Sequence, residues 1–358
     1  MFTPHVLHMT TALPPNEFSR SIRRHTLISL LLASTLASGL GFTAWLFSRT
    51  LVESYATLPV VMLISLAAGL LMYRFFNRKT IRRIRELSKP FPPHWRSLLV
   101  GQVEYYRALS DADKFRFEQR LRIFLLENTI VGVGWEADEQ IRLLIAAGAV
   151  IPSLGLRDWE YHGLGTIFVY PDAFDADYRY GKGAPMAGQV TRNQSFRALA
   201  FSRAHVLRSF LLPADGRNVV VHEFVHLIDG VDGAIDGQLE ISWTKAEREH
   251  WQQRVAIEQQ RIATGRTLID RYALASRIEF LAVLSEYFFE LPDVLAAEHP
   301  EVFDALKKGF KQDPKLILSR SLRPARSAEL MALRDEYWRE ADAASLGQPT
   351  FTDQPGQA

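Results

Sequence analysis

Two stretches near the N-terminus, Thr26–Phe47 and Ala56–Tyr73, contain no charged residue, and they limit the possible folds more than any other feature of the chain. At a helical rise of about 1.5 Å per residue, each can cross a hydrocarbon core of about 30 Å, the second only just. Trp45, Tyr55 and Tyr73 lie near their ends, at the depth where amphipathic rings prefer to sit. A transmembrane hairpin over 26–76 is therefore expected. Buried core helices are the alternative, but uncharged runs this long are rare inside soluble domains. A cleaved signal fits the first run less well, because its apolar part is long and a second run follows.

Charge sets the orientation. Arg20, Arg23 and Arg24 precede the first run; Arg74, Arg78, Lys79, Arg82, Arg83 and Arg85 follow the second; the connection holds only Arg49 and Glu53. The positive-inside rule then places both ends in the cytoplasm. Ala33, Ala37 and Gly41 recur every four residues, a stripe that lets a partner helix approach closely, the second run being one candidate. The segment 77–90 is a basic linker, with Ile81 and Ile84 among its charges, and Pro90, Pro92 and Pro93 mark a domain boundary. The expected layout is a cytoplasmic segment over 1–25, the hairpin, the linker, one domain over 91–342, and a disordered tail over 343–358.

Lys and Arg total 42 against 40 Asp and Glu, a net charge of +2, so no global basic balance points to nucleic acid, and no nucleic-acid partner is expected. Cysteine is absent. That excludes disulfides, thiolate nucleophiles and cysteine-based zinc sites, and leaves His, Asp and Glu to hold any metal.

In the domain, helices are expected over 110–127, 139–150, 216–229, 244–263 and 277–291 from their apolar periodicity. Gly165–Tyr170 is β-branched and aromatic and stops at Pro171, which reads as a strand, and one whose edge is a candidate to pair with an extended peptide. Residues 172–194 look irregular, and 195–212 follow no clear period. Gly132-Val133-Gly134 reads as a turn. The expected fold class is α+β: a mostly helical domain with a small sheet, preceded by two transmembrane helices.

The chemistry centres on His222-Glu223-Phe224-Val225-His226, with Asp215 as candidate N-cap and Gly230 as candidate C-terminal stop. His222 and His226 are four apart and share a helical face, so their imidazoles can take one tetrahedral Zn²⁺. Glu223 lies beside them, free to act as general base on a metal-activated water. The histidines His5, His8, His25 and His94 lie outside the domain or at its edge, and His162, His205, His250 and His299 stand singly; all eight read as surface or hydrogen-bonded residues. A third ligand is needed for a catalytic site. Arg277–Glu290 offers carboxylates in an otherwise apolar helix, where an unpaired charge is costly. Glu279 and Glu286 are seven apart, on nearly the same face, so periodicity does not choose between them; Glu290, close to Pro292, lies past the apolar run.

HEFVHLIDGVDG from His222 and EFLAVLSEYFFELPD from Glu279, with FPPHWRSLLVGQVEYY, LIAAGAVIPSLGL and IFVYPDAF upstream in the same order, resemble the bacterial zinc peptidases typified by Mlc titration factor A. The resemblance covers roughly Phe91–Pro314. It implies a gluzincin-like fold related to the catalytic domain of lethal-factor-type toxins, with His222, His226 and Glu279 as zinc ligands and Glu223 as catalytic base. Tyr272, seven residues before Glu279, matches a tyrosine of the toxin-like members and is implied as a catalytic residue. Phe201-Ser202-Arg203-Ala204-His205 departs from the family's Ser-Trp-Asp block, and the hairpin is an addition to a family of typically soluble proteins. The expected function is a zinc-dependent peptidase acting on a peptide or protein substrate, anchored in the bacterial inner (cytoplasmic) membrane by two passes with its catalytic domain in the cytoplasm. A second reading is a membrane-tethered module that sequesters a transcriptional or other regulator, its zinc structural or vestigial.

Overall fold

The computed structural model of the chain describes residues 30, 33–39, 41–46, 58–157, 159–161, 164–173, 188–193, 196–231, 235–265 and 267–320. The expectations for 1–25 and 343–358, and for His5, His8, His25 and His162, fall outside these residues. Two units are distinguished, Met1–Pro90 and Phe91–Ala358.

In the first unit, residues 33–39 and 41–46 are helical, followed by α1 (Leu58–Phe76) and α2 (Arg78–Leu87). Small side chains bring the first of these segments against α1. A Cβ built on Gly41 would lie 2.7 Å from Ser65 Oγ, and one built on Gly69 would lie 2.9 Å from Ala37 Cβ. The pairs 41/65 and 37/69 run in opposite directions, so the two helices are antiparallel, and the Ala33–Ala37–Gly41 stripe faces its partner. The large apolar side chains of α1 point away from this contact: Met62, Leu63, Ile64, Leu66, Leu70 and Leu71 are all more than half exposed.

Two membrane-crossing helices over 26–76 are not supported. Among the described residues, no helix is long and apolar enough to cross a membrane. In α1 the uncharged run ends at Arg74, and Leu58–Tyr73 rises only about 24 Å, short of a core of about 30 Å.

The second unit is α+β and mostly helical. Its elements run α3 (Pro93–Gln102), α4 (Glu104–Ala108), α5 (Asp111–Glu127), β1 (Thr129–Gly132), α6 (Glu139–Ser153), β2 (Leu164–Tyr170), β3 (Gly188–Asn193), β4 (Phe196–Ser202), α7 (Arg203–Leu211), α8 (Val219–Asp229), α9 (Lys245–Ala263), a 3-10 turn (Arg271–Leu274), α10 (Arg277–Glu290), α11 (Pro292–Glu298), α12 (Pro300–Phe310) and α13 (Pro314–Leu318). The four strands lie in the order β1-β2-β4-β3. β1, β2 and β4 are parallel, and β3 runs antiparallel along β4.

Helices begin where the sequence caps them. Ser110 accepts from Asp113 N–H at 3.2 Å, Asp138 from Ile141 N–H at 2.8 Å, and Thr244 with Glu247 forms a reciprocal capping box. The expected turn at Gly132–Gly134 closes β1, with Gly134 at φ +80°. β2 corrects one expectation: it lies between β1 and β4, so its edges are already paired, and β3 is an edge of the described sheet. The stretch expected to be irregular holds β3, and the unassigned 195–212 holds β4 and α7. β3 is polar, Gly-Gln-Val-Thr-Arg-Asn, and owes its conformation to the six-residue pairing with β4 rather than to any apolar alternation.

α8 runs through the core. A Cβ on Gly148 would lie 2.3 Å from Val220 Cγ1, so α6 approaches α8 more closely than any larger residue allows. Phe224, inside the His222–His226 stretch, is fully buried, with ring centroids 5.5 Å from Phe124, 5.0 Å from Tyr161 and 6.2 Å from Phe201. This aromatic packing holds the core face of α8, and the histidines lie on the other.

Candidate metal centre

The helix that carries the histidines starts later than its sequence suggests. Asn218 is the N-cap, accepting from Val221 N–H at 3.0 Å. Asp215 instead accepts from Arg217 N–H at 2.9 Å, in a turn where Gly216 takes φ +73°. That left-handed backbone cannot begin an α-helix, so the expected start at Gly216 capped by Asp215 moves to Val219. Gly230 does end the helix, with φ −77° rather than a left-handed conformation.

His222 and His226 project one turn apart, their ring centroids 4.7 Å from each other and nearly perpendicular. α10 packs across α8 and supplies the carboxylates. Ser276 caps α10 by accepting from Glu279 N–H at 3.1 Å, which fixes Glu279 in the first turn. Its Oε2 lies 3.0 Å from His222 Nε2 and 3.6 Å from His226 Nε2. One donor atom from each of His222, His226 and Glu279 falls within 4.8 Å of the others.

Two turns further along α10, Glu286 lies 2.8 Å from His222 Nδ1 and also accepts the Asn218 N–H. The two glutamates thus meet opposite nitrogens of one imidazole. Glu290 lies deeper, accepting from Arg217 N–H and Asn218 Nδ2, each at 3.1 Å. His226 has no such support: its Nδ1 is buried without a hydrogen-bond partner among the described residues.

Burial opposes a charge on His222, but Glu286 and Glu279 outweigh it and hold the imidazole well above its ordinary range. Burial likewise works against the Glu279 carboxylate, yet hydrogen bonds and charge from His222 and His226 keep it well below the usual carboxylate range. Glu223, 6% exposed, is raised by burial, with the two histidines opposing.

Tyr272 stands at the mouth, 54% exposed, its ring centroid 6.2 Å from that of His222. Partial burial and the charge of Glu279 push its hydroxyl up to about 12, so it stays protonated and able to donate at neutral pH. Asp270 secures the turn that bears it, accepting from Tyr272 N–H at 3.0 Å and from Arg217 Nη2 at 2.8 Å. Neither Asp270 nor Arg217 stood out in the sequence. The one available sign was an Asp two residues before Tyr272, the spacing of a side chain that caps its own turn.

The other described histidines have ordinary partners: His94 with Glu139, His205 with Ser202, His250 with Glu301, and buried His299 with Glu258 and Thr267 at 2.7 Å each.

Two imidazole nitrogens and one carboxylate oxygen make a donor set that suits zinc, and a chain without cysteine offers no thiolate ligand. The helical unit and this two-histidine, one-glutamate cluster define a domain of metallopeptidase type. The model of the glucose-regulated metallo-peptidase M90 family matches residues 77–311, and the chain belongs to that family. An uncharacterized protein of Synechocystis is 28% identical over 280 residues, covering 72% of this chain and 98% of that protein. Proteins named Mlc titration factor A, from Cronobacter sakazakii and Serratia proteamaculans, are 24% identical over 248 residues and 29% over 242. They cover 66% and 62% of this chain, and 92% and 89% of their own lengths is matched.

Proposed function

We propose that the chain is a zinc-dependent peptidase of gluzincin type, with His222, His226 and Glu279 as metal ligands. The observation that carries this reading is the approach of the three donor atoms to within 4.8 Å, beside the carboxylate of Glu223 on the same helix. Zinc bound there supplies Lewis acidity, polarising a scissile carbonyl and acidifying water. Glu223 takes a proton from the attacking water and passes it to the leaving amine. Tyr272 donates to the oxyanion that develops on the carbonyl oxygen. Glu286 holds the His222 ring from behind. An extended peptide pairs with the outer edge of β3, the strand packed against α8.

Attachment to the bacterial cytoplasmic membrane, with the second unit in the cytoplasm, is proposed on the charge asymmetry around 26–76 and on the exposed apolar side chains of α1. The relatives' name supports a second reading, a module that titrates a regulatory protein, with the metal structural.

The test is to incubate the full chain with a mixed peptide library, with and without a chelator, and to measure bound zinc. Chelator-sensitive cleavage restored by added zinc is expected. Stoichiometric zinc without cleavage would favour the regulator-binding reading.

A further inference from the structure

The first unit contains a surface that catalysis does not use. α2 follows α1 after Asn77, and none of its residues is buried. Arg78, Lys79, Arg82, Arg83 and Arg85 face a single acid, Glu86, within it. At about 100° per residue, Thr80, Ile81, Ile84 and Leu87 fall on one side of the helix. Arg78 and Arg85 border that side on one flank and Arg83 on the other, while Lys79, Arg82 and Glu86 lie on the opposite face. Ile81 and Ile84 are 37% and 49% exposed, and Phe75 and Phe76, just before the helix, are 61% and 49% exposed.

A solvated helix has no need of an isoleucine stripe between arginine flanks, and a core helix would bury it. The pattern matches a helix lying in the plane of a membrane interface, apolar side down and cations at headgroup level. Each basic residue near an anionic leaflet contributes about 1 kcal/mol, roughly fivefold in partition. Nucleic acid fits less well, because the isoleucines would remain in water. The helix that precedes it, α1, also carries large apolar side chains that are exposed.

We propose that α2 is a docking surface for anionic phospholipid, its arginines on the headgroups and Ile81 and Ile84 among the upper acyl segments. The inference rests on the membrane attachment proposed above and assigns the lipid class and the segment that selects it.

Co-flotation of the full chain with vesicles of phosphatidylcholine, alone or mixed with phosphatidylglycerol, tests it. Tighter partition to the mixed vesicles is expected, weakening as salt rises. Combined Arg78→Glu and Arg85→Glu should lower partition to mixed vesicles by about 25-fold or more and leave phosphatidylcholine binding unchanged. Combined Ile81→Ser and Ile84→Ser should weaken binding to mixed vesicles while keeping its salt dependence. These side chains are exposed, and unchanged zinc content confirms that the second unit is intact. Equal partition to both vesicles, unmoved by the arginine substitutions, would overturn the lipid selectivity and leave attachment standing. Failure to float with either vesicle would overturn both readings. Tighter binding to a DNA duplex than to the mixed vesicles would replace the lipid with nucleic acid.

Discussion

The two ends of α10 carry the same chemical group and do different work. At its start, Glu279 is 22% exposed at its side chain and faces the Nε2 atoms of both histidines. At its far end, Glu286 and Glu290 are buried and bind the start of α8, through the Asn218 and Arg217 N–H groups and the back of the His222 ring. A carboxylate at an open position has vacant coordination to offer. One enclosed by backbone donors is already satisfied and can only position what it touches. The first end offers a donor to the candidate metal site, and the second fixes the helix that carries the histidines.

The largest effect that can break this comparison is at the open end. Glu279→Ala is expected to lose both zinc and activity, with metal analysis of the purified variant as the readout; full zinc occupancy there, with zinc lost in Glu286→Ala instead, would reverse the assignment. Glu223→Gln should keep zinc at full occupancy and lower turnover by about 10²–10⁴-fold, because an amide cannot take the proton. Wild-type rates in that variant would remove Glu223 as the base. Tyr272→Phe should lower kcat by about 10²–10³-fold with unchanged zinc and unchanged unfolding midpoint, the loss typical of a single oxyanion donor; an unaltered rate would take Tyr272 out of the site. At the closed end, Glu286→Ala should weaken zinc by about 10–100-fold in a chelator competition, the range for outer partners of metal-bound histidines. The smallest effect is expected at Glu290. Burial and the nearby Asp215 hold its carboxyl well above the ordinary range, and it meets the metal-facing residues only through the start of α8. Glu290→Gln, which keeps the size of the side chain and one accepting oxygen, should leave zinc and turnover unchanged and shift the thermal midpoint by only about 2–4 °C. A loss of zinc in that variant would show that the closed end also tunes the metal.

The histidine pair was legible because a helix repeats every 3.6 residues: His222 and His226 share a face whatever surrounds them. The small-residue stripe Ala33–Ala37–Gly41 was legible for the same reason, and it meets Ser65 and Gly69 in the structure. Helix limits were less so. Asp215 and Asn218 are both good capping residues, and the left-handed Gly216 between them decided the matter. β3 was invisible because a polar edge strand takes its conformation from its neighbour, a contact that lies outside any local window.

By itself, the sequence determined which side chains are candidates for the chemistry: two histidines on one face, a glutamate beside them, and a second helix rich in carboxylates without any cysteine. It also determined that the N-terminal helices are apolar and that α2 is basic. Only the tertiary structure decided which glutamate meets which nitrogen. Glu279 and Glu286 share a face of α10 and are about 10 Å apart along it, a symmetry that periodicity cannot break. The crossing of α10 over α8 breaks it, because the imidazole of His222 lies between them and presents a different nitrogen to each.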